Sequence, residues 1–386
     1  MRPEQFTSSA SGKVIHHPTD YWAFVPNPLP PQLEWSAEII AALSTADRAL
    51  GELAGLGHSI PNPHLLVRPF VRREAVLSSR IEGTQASLDD LLTFEAEQLI
   101  LFDEGSDVAK VHNYVRALEY GLKRLDKLPI ILRLLREIHA RLMAGARGKQ
   151  WTPGEFRRSQ NWIGAPGSTL QAATFVPPPP DAMMDSLNAF EKFLHQPSEL
   201  PPLVRLALIH YQFEAIHPFL DGNGRVGRLL ISLLLCAWEL LPQPLLYLSA
   251  YFESHRQEYY SGLLAVSRAG EWSGWLIFFL NGVAVQAQDA MARIRKLQTL
   301  QEEYRRRFQK GRTSARLLQA VDLLFAHPMV TTAHVARELE VGFPAAQRYI
   351  EQLTKARVLK EITGKARNRI YRAGEILSAI EAPLRK

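Results

Sequence analysis

The stretch His217-Pro218-Phe219-Leu220-Asp221-Gly222-Asn223-Gly224-Arg225-Val226-Gly227-Arg228 constrains this chain more than any other. It joins two segments of helical pattern, 203–213 and 225–240, so it reads as a tight loop that opens a helix. Gly222 and Gly224 free the backbone to turn sharply and to point successive N–H groups into one concavity. The positive end of the helix behind them completes an anion site. Arg225 and Arg228 share one face of the first turn. Cations there oppose the helix dipole by roughly 0.3–1 kcal/mol each, so a polyanionic ligand is their natural compensation. Two arginines and a glycine nest suit several phosphates better than one carboxylate. Asp221 is a hard oxygen ligand, suited to Mg2+ riding on a nucleotide phosphate chain. His217, as neutral imidazole near pH 7, can take a proton from an attacking hydroxyl. Base, metal ligand, nest and arginines together describe a phosphoryl-type transfer site that needs no covalent intermediate.

Around this loop, helical periodicity dominates from Leu33 to about residue 145, over 37–53, 70–82, 88–97 and 108–122. It returns over 181–193, 255–266 and 272–307. Gly83 is placed to stop the helix over 70–82, and Ser87 with two acids after it to start the next. Residues 1–35, rich in Pro and aromatics, read as an extended arm packed on the body. In 153–180, Gly154, Gly164, Pro166 and Gly167 lead to Thr174-Phe175-Val176 and then a run of prolines. That composition predicts a short hairpin or flap on a helical body.

From about residue 312 the pattern changes. Short helices over 314–325, 332–339 and 344–356, then strands over 358–362 and 369–372, follow the order of a winged helix-turn-helix. The recognition helix would be 343–353, with Gln347 and Arg348 open to a groove and Lys365, Arg367 and Arg369 on the wing near phosphates. The same small fold also serves as a docking or dimerising module. Charge alone does not choose between DNA and a solvated face. The net charge of +6 is uneven, with 17 Lys and Arg against 9 Asp and Glu from residue 301 onward. The lone Cys236 excludes an intrachain disulfide and suits a reducing cytoplasm. Its apolar run, 229–241, carries Glu239 and is too short to span a bilayer. The first residues lack the apolar core of a secretory signal. The expectation is a cytoplasmic protein with no membrane partner.

The 217–228 loop is similar, at every fixed position, to the Fic family signature H-x-F-x-[D/E]-G-N-G-R-x-x-R. Pro153-Gly154-Glu155-Phe156-Arg157 through Asn161-Trp162-Ile163-Gly164 resembles the entry to the family's flap, and Phe175-Val176-Pro177-Pro178 the flap itself. Leu246-Tyr247-Leu248-Ser249 and Tyr259-Tyr260 resemble the helical wall after the signature. The likeness covers roughly residues 1–300. It implies a mainly α fold: a Fic helical core with a short β-hairpin flap, plus the small winged helix-turn-helix. The expected domains are an N-terminal helical extension over 1–105, the Fic core over 106–300 and the winged module over 312–386.

The resemblance also implies an activity: transfer of AMP from ATP, with Mg2+, to a Ser, Thr or Tyr hydroxyl of a target protein or of the chain itself. His217 would be the base and Asp221 the metal ligand. Gly222, Asn223, Gly224, Arg225 and Arg228 would bind the nucleotide, and Thr174, Phe175 and Val176 would meet the target by strand addition. Tyr251, Tyr259 and Tyr260 are candidates for the adenosine wall, against a role as ordinary core aromatics. Ser78-Ser79-Arg80-Ile81-Glu82-Gly83 resembles the inhibitory motif [S/T]-x-x-x-E-[G/N] found N-terminal to some Fic cores. A carboxylate at a helix C-terminus wants a cation, so Glu82 is expected to pair with Arg228 and obstruct the ATP γ-phosphate, with Ser78 in support. Open alternatives are transfer of another phosphate-containing group, AMP removal, and a DNA-binding regulator whose Fic core senses nucleotide. A homodimer is also left open.

Overall fold

The computed structural model describes residues 1–60, 63–97, 106–145, 152–165, 167–309 and 314–381. Pro166 and the expected boundaries near 105 and 312 lie outside the described residues. The chain is mainly helical, with two small sheets. Its N-terminal half contains α1 (Ala37–Ser59), α2 (Pro63–Ile81), α3 (Leu88–Glu97), α4 (Asp107–Leu125) and α5 (Leu132–Leu142). The central body adds α6 (Pro180–His195), α7 (Pro202–Ile216), α8 (Asn223–Ala237), α9 (Ser249–Ser254), α10 (Arg256–Ala269) and the long α11 (Trp272–Phe308).

Helices α7 and α8 form the centre, and each is buried nearly all round, as expected of core helices. The others wrap them with one apolar face each. Local signals set the ends of α2 and α3. After α2, Gly83 at φ 94° receives the turn, and Thr84 N–H bonds Ser79 O while Gly83 N–H bonds Arg80 O. This left-handed cap leaves Glu82 at the helix terminus. Ser87 then opens α3 through a reciprocal box, accepting from Asp90 N–H while Asp90 Oδ2 accepts from Ser87 N–H.

The first 35 residues differ from the extended arm that their prolines suggest. They contain an antiparallel hairpin, β1 (Gly12–His17) with β2 (Tyr21–Pro26), paired from Gly12↔Pro26 to His17↔Tyr21. Its three-residue turn ends on Asp20 at φ 62°, and aspartate tolerates that left-handed position. The segment expected as a short hairpin or flap is closed, among the described residues, by one antiparallel bridge between Ile163 and Phe175. Next to it, Val176 O accepts from Phe24 N–H of β2, so the N-terminal hairpin flanks the flap.

The C-terminal module consists of α12 (Ala315–Ala326), β3 (Met329–Thr331), α13 (Thr332–Glu338), α14 (Phe343–Lys355), β4 (Lys360–Glu361), β5 (Ile370–Arg372) and α15 (Gly374–Glu381). Its sheet order is β3-β5-β4, all antiparallel, the arrangement of a winged helix-turn-helix. Strand β3 and helix α15 were not legible in the sequence. The module is bound to the N-terminal helices through Lys365–Glu97 (2.9 Å), Arg372–Asp89 (3.0 Å) and Arg68–His327 (2.6 Å). It is bound to α11 through Tyr304–Glu375 (2.6 Å) and through Arg293 on the carbonyl of Ile380 (2.6 Å). No described helix is long and apolar enough to cross a membrane.

Candidate functional site

Helix α7 stops at His217, which takes the left-handed conformation at φ 51°, ψ 59° while its N–H still bonds Phe213 O. A non-glycine residue there costs roughly 1–2 kcal/mol, and the surroundings hold it in place. Arg157, 2% exposed, donates from Nε to His217 O (2.9 Å) and from Nη2 to Pro178 O (2.5 Å), while its N–H meets Pro218 O. One guanidinium thus fastens the histidine turn to the segment after the flap. Asn161 adds a bond to Phe219 O (2.8 Å).

Phe219 is fully buried and stacks on His139 of α5 at 3.8 Å and 10°. His139 Nδ1 accepts from Gly154 N–H, so its proton is on Nε2, which donates to Asp221 O (3.0 Å). Burial holds His139 neutral, at a pKa of about 4. The chain then turns through Gly222 at φ 80° into α8. The first amides of a helix have no intrahelical acceptor and point outward from its end.

Glu82 lies against that first turn. A side chain at Gly224 would collide with the Glu82 carboxylate and with the Arg228 guanidinium. Arg228, 2% exposed, donates to Glu82 Oε1 (2.6 Å), Ser78 Oγ (2.9 Å) and Ser78 O (2.9 Å). Burial alone would raise the Glu82 pKa, but Arg228 outweighs it and holds the carboxyl below its usual range. Arg228 Nη1 and Arg225 Nε are closed off from solvent and have no hydrogen-bond partner. These are orphaned donors of the kind an anionic ligand satisfies.

His217, Glu82, Gly224 and Arg228 line one cavity of about 620 Å³ with Thr174, Phe175 and Tyr260. The His217 pKa is lowered to about 4, chiefly by burial and then by the charge of Arg157, so the ring is neutral at pH 7. Its Nδ1 faces Glu214 O at 3.3 Å, leaving Nε2 free to accept a proton.

Residues 40–123 match the Fic/DOC family N-terminal model, and residues 129–235 match the Fic/DOC family model. The chain carries the Fic/DOC domains. In this Fic chain, residues 317–377 match an HTH DNA binding domain. Proteins named protein adenylyltransferase Fic from Drosophila grimshawi and Drosophila virilis are each 34% identical over 131 residues, 32% of this chain and 25% of theirs. The chain therefore spans about a quarter of the length of those relatives. A solved Fic family protein from Desulfovibrio desulfuricans G20 shares the fold with a TM-score of 0.56 at 17% identity, covering 89% of this chain and 98% of that one. Fic-1 from C. elegans gives 0.50 at 19%, over 67% and 74%.

Some residues of the Fic chain stand elsewhere than the sequence suggests. Asn223, expected among the phosphate holders, turns both ends of its amide to the Phe219 backbone (2.8 Å each) and so closes the loop. Val176 is fully buried, and its carbonyl is occupied by β2, so Thr174 and Phe175 alone of the three flap residues reach the cavity. Of the three tyrosines, Tyr260 lines the cavity. Tyr259 is buried with its hydroxyl on His210 (2.8 Å), and Tyr251 stacks on His255. Tyr259 thus belongs to the core and Tyr251 to its half-buried edge.

In the winged module, Arg348 is exposed, but Gln347 is bonded to Thr332 and Glu351 and Lys365 is held by Glu97. Arg157, His139 and Glu214 were missed as site residues. The first lies in a motif that matched the flap entry, and only the fold shows what it fastens.

Proposed function

We propose that this Fic chain transfers AMP from ATP to a Ser, Thr or Tyr hydroxyl of a protein, and that Glu82 restrains the reaction. The observation that carries the reading is the single cavity shared by a neutral His217, the opening turn of α8 and an Arg228 already holding a carboxylate. The helix end and the orphaned donors of Arg225 and Arg228 suit the phosphates of a nucleotide. Asp221, half-exposed with Oδ1 on its neighbour's N–H and Oδ2 3.6 Å from Arg225, suits Mg2+ carried on those phosphates. One carboxylate is enough where substrate oxygens supply further ligands, and the ion would neutralise phosphate charge.

In this reading His217 Nε2 takes the proton of the attacking hydroxyl as oxygen bonds to the α-phosphorus and pyrophosphate leaves. The nest and Arg225 hold the phosphates in line. Ile163 takes both backbone groups of Phe175 and the N–H of Thr174, so an extended target segment would meet the Thr174 carbonyl and the two side chains. Glu82 occupies Arg228 and the face of Gly224, where it competes with a phosphate for the same cation. Residues 1–105 would supply the restraint, 106–300 the chemistry and 312–386 a separate binding function.

Parallel incubations of the Glu82→Gly chain with α-labelled and γ-labelled ATP test the reading. Label retained on protein from the α position, and lost in His217→Ala, is the expected result. Label retained from γ, or transfer that persists in His217→Ala, refutes it. Incubation of AMP-modified protein with the unaltered chain tests the reverse direction. A second reading, that the winged module binds DNA, is favoured by the match of residues 317–377. It predicts DNA affinity that falls steeply with salt.

A further inference from the structure

Glu214 lies one turn before His217 on α7, and nothing above uses its side chain. Its carboxyl faces the same cavity as His217, Gly224 and Arg228. It rests on α8 at Gly227, where any side chain would collide with Glu214 Oε1. Oε1 is shut off from solvent and has no hydrogen-bond partner. The charged and titratable groups around it are Arg228 on α8, Glu82 just past α2, Arg256, Tyr259 and Tyr260 on α10, Tyr211 on its own helix and His217 just past that helix. Arg228 already serves Glu82 and Ser78 and makes no ion pair with Glu214. Burial, reinforced by the Glu82 charge, pushes the Glu214 carboxyl up to about 8 against the pull of Arg228.

A carboxylate here would repel the phosphates that the adjoining nest is built to hold. A protonated carboxyl does the opposite, because it carries one O–H and no charge. We propose that Glu214 is a specificity-determining residue of the nucleotide pocket, a neutral acid that donates its O–H to an oxygen of the bound nucleotide, with Gly227 making room for it. The inference rests on the cavity being a nucleotide site. Glu214 sits one helical turn along α8 from Gly224, beside Arg228, so the acceptor oxygen belongs to the phosphate chain or the ribose. When Glu82 leaves, the incoming phosphates replace its negative charge and keep Glu214 protonated.

The test is titration of the full-length Glu82→Gly chain with Mg·ATP by calorimetry from pH 7 to pH 9.5. With Glu214 intact, affinity should weaken about tenfold at the alkaline end, as the acid ionises. Glu214→Gln keeps a neutral donor at every pH, so it should bind like its parent at pH 7 and hold that affinity to pH 9.5. Glu214→Met, which has no donor, should bind about five- to tenfold more weakly at pH 7. If that loss disappears with 2′-deoxyATP the acceptor is the ribose oxygen, and if it persists the acceptor is a phosphate oxygen. The proposal is overturned if Glu214→Gln weakens at high pH as its parent does, or if a folded Glu214→Met binds as tightly as its parent. Should Glu214→Met fail to fold, the Gln comparison decides alone. Absence of Mg·ATP binding in every variant removes the nucleotide reading itself, whereas binding without any effect at residue 214 removes only this inference.

Discussion

Replacing Arg157 with methionine should unfasten the His217 turn from the segment after the flap. Among the described residues, the guanidinium gives all its bonds to carbonyl oxygens, chiefly His217 O at 2.9 Å and Pro178 O at 2.5 Å. Each buried carbonyl left without its donor costs about 1–3 kcal/mol. Part of that is recovered, because a buried cation with no carboxylate partner is removed at the same time. Burial already lowers the Arg157 pKa to about 10, the mark of that desolvation. The net loss should be about 2–4 kcal/mol. In a domain of this size that corresponds to a melting temperature lower by roughly 4–16 °C. Differential scanning fluorimetry of the full chain, following the first transition, is a sufficient assay. Arg157→Lys should fall between the two, since one ammonium replaces a planar fork that meets both carbonyls. A shift under about 2 °C for Arg157→Met would mean that water satisfies both oxygens and that the fastening is not a source of stability.

Glu82→Gly should raise AMP transfer at least several-fold by freeing Arg228, as read from label on protein; an unchanged rate refutes the restraint. Gly224→Ala should weaken Mg·ATP binding in the Glu82→Gly background, because the new methyl comes within 2.9 Å of Arg228 Nη1 and takes space in the nest; calorimetry decides. With His217 neutral down to about pH 4, kcat/KM for transfer should stay level from pH 8 to about 5.5 as far as this base is concerned; half-loss near pH 6.5 contradicts the assignment. His139 and His210 are fully buried and neutral, at about 4 and about 3. Below pH 6.5 the unfolded chain therefore takes up protons that the folded chain refuses. Their share of the stability should be flat above that value and fall by several kcal/mol towards pH 4, opposed by Glu74 and Glu214, which the fold keeps protonated to about 7 and about 8; urea melts of His210→Gln beside the unaltered chain read that share, and a difference that is the same at pH 7.5 and 4.5 would exclude it.

The parts of the molecule that were legible in the sequence depend on local rules. The paired glycines, the histidine turn and the opening of α8 follow from backbone freedom at Gly222 and from the apolar runs on either side. Gly83 and Ser87 mark helix ends because capping is settled within a few residues. What stayed hidden depends on partners distant in sequence. Arg157 looks like any arginine in a loop until His217 O and Pro178 O converge on it. The β1–β2 hairpin was obscured by prolines that lie beyond its turn, and Val176 reads as flap until β2 occupies its carbonyl. The tyrosines of α9 and α10 repeat at a spacing that cannot distinguish core from cavity, and the fold sent Tyr259 into the core and Tyr251 to its edge.

Helix α2 has a mechanical consequence. It is about 28 Å long, and along it Arg68 holds the winged module while Ser78 and the terminal Glu82 hold Arg228. Between these ends Pro69 interrupts the helix ladder, and Arg72, Arg73 and Glu74 pin the middle of the helix to α3, α11 and α4. The winged module and the cavity lined by Glu82 and Arg228 thus share one helix as their common support.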